Sequence, residues 1–269
     1  MCDVNTGIKT KIGDVMKFFL TLLFCLSLLP LQAADKVPSK PLKAVIVSGG
    51  CCHDYKKQNV IIPEGLASRI NISCDVIFHM KAPDMKKALS EKGWADKYDI
   101  VIYNFCHAHE TDKAFVESVA KIHHDGKPAV ALHCSMHSYH WKIKAEDGKE
   151  KAWTKLLGVT SPNHGPKSKI EVKPADSSHP VMKDFPSSWV TPNGELYNIK
   201  KLHDSATVLA MGTRTEKGDK TPTPCIWVNE YGKGKIFGMT LGHHNETVQH
   251  KHYLDVLAKG ILWTTGNLK

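Results

Sequence analysis

The chain is poor in arginine. Only Arg69 and Arg214 stand among its 36 basic residues, and the lysines are scattered along the whole sequence. Arginine carries the planar fork of donors that reads phosphate and base edges bidentately. The formal charge of +9 therefore describes a lysine-studded surface, and nucleic acid is excluded as the expected partner. Long apolar runs are missing as well. The most apolar stretch, Phe18 to Leu31, has 14 residues, short of the ~20 that a membrane-crossing helix needs, so no stable membrane anchor is expected. No segment repeats at solenoid or propeller length, and 19 Gly with 14 Pro are too few for a collagen-like or low-complexity chain. There is no C-x-x-C pair, no C-x-x-C-H haem site and no H-E-x-x-H zinc motif,.

What the chain has in excess is histidine, 16 in 269 residues. Its length fits one large domain or two small ones. No linker-like stretch interrupts Pro41 to Lys269, so a single domain over residues 41–269 is expected. Ahead of it, Met16-Lys17, the apolar run Phe18–Leu31 and the exit Gln32-Ala33-Ala34-Asp35 have the layout of a secretory signal peptide. On this reading residues 1–34 form the signal peptide, residues 1–15 derive from an upstream start, and the mature protein begins near Ala34 or Asp35. Cleavage after Ala33 removes Lys9, Lys11, Lys17, Asp3 and Asp14 and leaves a charge of +8. The expected location is periplasmic or extracellular. Six cysteines remain (Cys51, Cys52, Cys74, Cys106, Cys134 and Cys225); an oxidising compartment permits disulfides, but a domain of this size buries enough core to stand without them.

Along the domain, short apolar runs alternate with amphipathic stretches. Lys43–Val47, Asp75–Phe78, Asp99–Tyr103 and Pro128–His133 read as strands, and Asn59–Asn71, Pro83–Lys92 and Thr111–His124 as helices. In the last of these Phe115, Val119 and Ile122 share one face, and Asp125-Gly126 closes it. Strands that are apolar throughout, alternating with helices, imply a mainly parallel sheet covered on both faces. The second half is richer in strands: Lys169–Val172, Thr207–Ala210, and Cys225–Val228 with Lys235–Thr240 as a hairpin around Gly232. His250–Thr265 closes the chain as a helix.

In an open parallel sheet, ligands bind beyond the carboxyl ends of the strands. Those ends read Gly49-Gly-Cys-Cys-His53-Asp54, Asn104-Phe-Cys106-His107-Ala-His109 and His133-Cys134-Ser-Met-His137, joined later by Glu195-Leu-Tyr197 and Leu241-Gly-His243-His244. Neutral imidazoles completed by a carboxylate hold zinc and related metals; without metal the same groups form an acid–base site near neutral pH. Isolated histidines such as His79, His203 and His252 read as surface or satisfied core. Cys134 lacks the flanking glycines of a nucleophile elbow and is not expected to act as a nucleophile. Cys51 or Cys52 near Cys106, and Cys106 near Cys134, would form a thiol cluster or a disulfide.

Gly49-Gly-Cys-Cys-His-Asp54, Gly126-Lys-Pro-Ala-Val-Ala-Leu-His133, Trp153-x-x-Leu-Leu-Gly158, His164, His179-Pro180, Glu195-Leu-Tyr197 and Tyr231-Gly-Lys-Gly-Lys-Ile-Phe-Gly-Met-Thr-Leu-Gly-His243 together resemble the ThuA-like (trehalose-utilisation) family. The resemblance runs from about Lys43 to Leu262. It implies a flavodoxin-like, class I glutamine amidotransferase-like fold and a role in carbohydrate metabolism, often linked to keto-disaccharides. The amidotransferase triad is not recognisable, so glutamine hydrolysis is not expected, and Gly194 stands where the family often carries Asp. Carried over residue by residue, the resemblance marks His53, Asp54, His133, His164, Glu195, Tyr197 and His243.

The expected function is thus an exported enzyme acting on a sugar or keto-disaccharide. His133, Glu195 and His243 would do the acid–base chemistry, and His53, Asp54, His107, Tyr197 and His164 would bind substrate. Two alternatives stand beside it: a divalent-metal-dependent hydrolase, with a metal such as Zn in the same histidine cluster, and a non-catalytic sugar-binding protein stacking its ligand on Trp141, Trp153 or Trp189. No cofactor is otherwise assigned. The expected partner is a small carbohydrate, with self-association into a homo-oligomer left open.

Overall fold

The computed structural model describes residues 40–145 and 150–268; the expected signal peptide lies outside them. Four strands, β1 (Leu42–Gly50), β2 (Ile72–Phe78), β3 (Ile100–Cys106) and β4 (Ala129–Leu132), are joined by helices α1 (Tyr55–Ala67), α2 (Ala82–Ser90) and α3 (Lys113–His124). They lie in the order β2-β1-β3-β4, all parallel, and Gly234–Met239 adds a fifth parallel strand beside β4. Thr223–Tyr231, Ala206–Arg214, Ile170–Pro174 and Trp189–Val190 then extend the sheet antiparallel, giving nine strands. The expected parallel α/β core with a strand-rich second half is present. β1, β3 and β4 are neighbours, as a flavodoxin-like order requires.

Alternation along the buried strands sorts the core into two layers. Ala44, Ile46, Ile102 and Val130 face Ile62 and Leu66 of α1 and Leu257 and Ile261 of the closing helix Lys251–Thr264. Val45, Val47, Val101 and Tyr103 face Phe115 and Val119 of α3, together with Trp153 and Trp227. Helix α1 starts four residues before the expected Asn59 because Asp54 caps it, its carboxylate accepting the Lys57 amide at 3.2 Å,. Asp112 caps α3 in the same way, accepting from the Phe115 amide at 3.0 Å. The sequence pattern located these helices by their apolar faces, whereas their first turns are set by polar caps.

Gly238 pairs with Trp227 across the Thr223–Met239 hairpin, and a Cβ there would lie 2.3 Å from the indole ring. The indole is fully buried and donates to the Leu157 carbonyl at 2.7 Å, so it has no room to retreat. Gly238→Ala is expected to destabilise the fold by about 1–3 kcal/mol through overpacking, read as a lower midpoint in urea at unchanged slope.

Candidate functional site

The carboxyl ends of the parallel strands carry the site. Gly49 and Gly50 leave β1 at φ +134° and +92°, and a Cβ on Gly50 would meet the Cys106 carbonyl at 2.1 Å. Only glycine lets this loop run so close to the end of β3, and it delivers His53. His133 directly follows β4, at φ +43°. His243 follows Gly242, which takes φ +122° after the fifth parallel strand. Glu195 opens a short strand, Glu195–Asn198, that pairs antiparallel with Asn163–Lys167 outside the main sheet. Arg214 is buried and secures this ribbon, donating to the Leu196 carbonyl and to Asn198 Oδ1, both at 2.7 Å.

One ligand atom from each of His53, His133, Glu195 and His243 lies within 4.8 Å of all the others. His133 donates from Nδ1 to the Thr240 carbonyl at 2.6 Å, which fixes Nε2 as the free lone pair. That Nε2 is buried, has no hydrogen-bond partner, and sits 3.6 Å from Glu195 Oε2. The Nδ1 of His53 faces the Tyr55 hydroxyl at 3.0 Å, while its Nε2 faces His243 Nδ1 at 3.1 Å. His243 Nδ1 in turn lies 3.2 Å from Glu195 Oε2.

Burial, with the neighbouring imidazoles of His133 and His243, pushes His53 down to about 2, and burial likewise lowers His133. Burial alone would raise Glu195, but the adjacent His133 and His243 outweigh it and hold the carboxyl below its usual range. The direction is plain: His53 and His133 stand neutral around an anionic carboxylate. Such a set fits a divalent cation. Each imidazole turns one nitrogen inward, two outer nitrogens are held by Tyr55 and Thr240, and the carboxylate offsets charge.

The remaining expected site residues surround this group without joining it. His164 lies on the rim, half exposed, with Nδ1 3.3 Å from Glu195 Oε1. Tyr197 is buried and buttresses the site, its ring 4.8 Å from that of His133 and stacked on His137 at 4.1 Å and 7°. Burial, then the nearby His164, pushes His137 down to about 3. His107 is buried beside the cleft, its Nε2 without a hydrogen-bond partner. Asp54 caps α1, accepts from Asn245 Nδ2 at 3.0 Å, and lines an opening that His53 and His243 also border.

A cleft of about 460 Å³ opens beside Glu195 and His243, with Met80, His107, His137 and Trp141 among its walls. Of the three tryptophans considered for stacking, only Trp141 serves. It is 42% exposed and 4.8 Å from the His137 ring, whereas Trp153 is buried, donating to the Ser135 carbonyl at 2.9 Å, and Trp189 is buried against His250. Gly194 also has a packing reason. A Cβ there would meet Ile170 Cγ1 at 2.7 Å and the Ser168 carbonyl at 2.9 Å, so an Asp does not fit. Tyr55 and Thr240, which orient two histidines, escaped sequence reasoning. Tyr55 lies two residues after His53, but no spacing rule singles out a backbone carbonyl.

A family model for ThuA, described as trehalose utilisation, matches residues 43–264. No curated protein matches the chain. Among solved structures, a ThuA-like protein from Parabacteroides merdae superposes with a TM-score of 0.70 at 16% identity, covering 84% of this chain and 90% of that one. A ThuA-like protein from Bacteroides uniformis gives 0.63 at 18% identity, over 84% and 92% of the two chains. A protein from Thermoplasma acidophilum named as part of a GMP synthase gives 0.50 at 13% identity, over 82% and 92%. At these identities the likeness concerns the fold.

Proposed function

The chain belongs to the ThuA family, and from that premise we propose that it is a metal-dependent enzyme acting on a sugar, with a divalent cation held by His53, His133, Glu195 and His243. One observation carries the reading. His133 Nε2 is buried, unpartnered and aimed at the three other donors, while its Nδ1 is tied to the Thr240 carbonyl. An orphaned buried nitrogen costs about 1–3 kcal/mol, a cost that a coordinated cation removes. Three imidazoles and one carboxylate suit Zn and neighbouring first-row metals. When bound, such an ion polarises a substrate oxygen and activates water at neutral pH.

The chain's own residues supply the rest. Tyr55 and Thr240 fix which nitrogens face inward. His164, half exposed beside Glu195, can exchange a hydrogen bond with a sugar hydroxyl at the rim. His133 is 2% exposed and hydrogen-bonded through its outer nitrogen, which favours a ligand over the proton carrier expected from sequence. A sugar is supported by the family's description as trehalose utilisation and by the exposed face of Trp141 at the cleft. Trp141→Ala should raise KM for such a substrate about three- to tenfold and leave metal content unchanged, as steady-state kinetics with elemental analysis would read. Export of the protein belongs to this proposal too and rests on the apolar run Phe18–Leu31. Among the described residues, no helix is long and apolar enough to cross a membrane.

The test is a mass-spectrometric screen of keto and unoxidised disaccharides against chelator-treated protein, before and after Zn²⁺ or Mn²⁺ is returned. The proposal expects turnover that chelation abolishes and metal restores. Turnover indifferent to chelation would contradict it in favour of metal-free acid–base chemistry. Saturable binding without turnover by metal-loaded protein would contradict it in favour of a sugar-binding role.

A further inference from the structure

A second set of ligand atoms gathers on the same rim, and it is made of sulfur alone. Cys51 and Cys52 follow the Gly49-Gly50 exit of β1, and Cys106 ends β3, whose register places it opposite Gly50. The missing Cβ at Gly50 lets the two chains approach until Cys51 Sγ lies 3.6 Å from Cys106 Sγ. Cys52 adopts φ +81°, and its thiol completes a triad whose sulfurs all lie within 4.8 Å of one another. Cys51 and Cys52 are exposed and Cys106 is buried; all three are free thiols.

We propose that Cys51, Cys52 and Cys106 form a metal site of their own, separate from the imidazole–carboxylate set, and that it takes a soft cation of the Cu(I) kind. An all-sulfur set with no nitrogen or oxygen donor selects soft metals. Three sulfurs each about 2.3 Å from one ion in a trigonal plane stand roughly 4.0 Å apart, a few tenths of an ångström beyond the 3.6 Å between Cys51 and Cys106 and inside the 4.8 Å that bounds the triad. Cys134 does not supply a fourth ligand of that kind, because its sulfur is only 2.8 Å from Cys106. The set therefore offers three thiolates, a number that Cu(I) accepts and structural zinc does not. Exposure of two of the three cysteines, Cys51 and Cys52, provides the entry path. Coordination replaces the three S–H protons, which pass to solvent, and involves no change of oxidation state.

The experiment is an anaerobic titration of reduced, chelator-stripped protein with Cu(I) in competition with bathocuproine disulfonate. The wild type should withhold one equivalent from the chelator. C51S/C52S, altered only at exposed positions, should withhold none. C74S should behave as wild type, since Cys74 pairs with Ala44 at the far end of β1. The variant H133A, damaged in the other site, should still withhold its equivalent, so a failure here and a failure of the divalent site are read separately. Equal retention by wild type and C51S/C52S, or no retention by wild type, would overturn the proposal. Circular dichroism of C51S/C52S matching wild type ensures that a lost equivalent reports lost ligands.

Discussion

Glu195→Gln is expected to cost the proposed divalent ion its place and to lower turnover of a sugar substrate by about 10³-fold. Glu195 is the only anion among the four donors, and its Oε2 lies 3.2 Å from His243 Nδ1 and 3.6 Å from His133 Nε2. The carboxamide keeps the shape but loses the charge that offsets a dication, and a Lewis-acid contribution of several kcal/mol goes with it. His133→Ala should lose metal and activity together to a similar degree, because the inward nitrogen disappears. Tyr55→Phe tests the layer behind. It removes only the hydroxyl facing His53 Nδ1 at 3.0 Å, and the expected loss in metal affinity is about 10- to 100-fold. Metal content by elemental analysis beside kcat separates the cases: the ligand variants lose both, whereas Tyr55→Phe recovers activity at raised metal concentration. Stoichiometric metal in Glu195→Gln would show that the carboxylate is not a ligand.

The second large effect is acid lability from histidines that the fold keeps neutral. His123 is fully buried at the far end of the sheet from the site. Its Nδ1 donates to the Lys127 carbonyl at 2.8 Å and its Nε2 accepts from the Tyr103 hydroxyl at 2.7 Å. Burial pushes its pKa down from 6.5 to about 4. At pH 7.5 folded and unfolded chains both carry it neutral. As pH falls through 6.5 only the unfolded chain takes up the proton, so stability declines until the folded protein is protonated too, near pH 4. The span corresponds to about 3 kcal/mol. His140, lowered to about 4 chiefly by burial, steepens the decline in the same direction. Urea unfolding from pH 7.5 to pH 4 should show the loss, and a Tyr103→Phe/His123→Leu variant, which removes donor and acceptor together, should lose about 3 kcal/mol less over that range. Parallel profiles for the two proteins would exclude His123 as a source of the pH dependence.

Much of the scaffold was legible because burial writes itself into sequence. Runs such as Ile100–Tyr103 and Ala129–Leu132 are apolar at every position only in strands covered on both faces, and the residues after them had to emerge at one edge. That placed His53, His133 and His243 together despite separations of up to 190 positions. The roles were less legible. Whether His133 carries a proton or a metal depends on which nitrogen meets the Thr240 carbonyl, a contact between residues 107 apart. The ribbon that carries Glu195 is short and its register with Asn163–Lys167 is irregular, so no periodicity announces it. Asp54 is marked by the family resemblance alone, and its second task, capping α1, rests on a local contact with the Lys57 amide. Trp153 and Trp189 were selected as aromatic surfaces and turned out to fill the core, since a tryptophan's composition does not reveal which side of the sheet it faces.

The most direct test of the account is where a metal sits. Crystals of the protein loaded with Zn²⁺, with anomalous data collected at the zinc edge, should give one peak per chain among His53 Nε2, His133 Nε2, His243 Nδ1 and Glu195 Oε2, at about 2.0–2.2 Å from each. A loaded crystal with no anomalous peak among these four side chains, and with His133 Nε2 hydrogen-bonded to water instead, would contradict it.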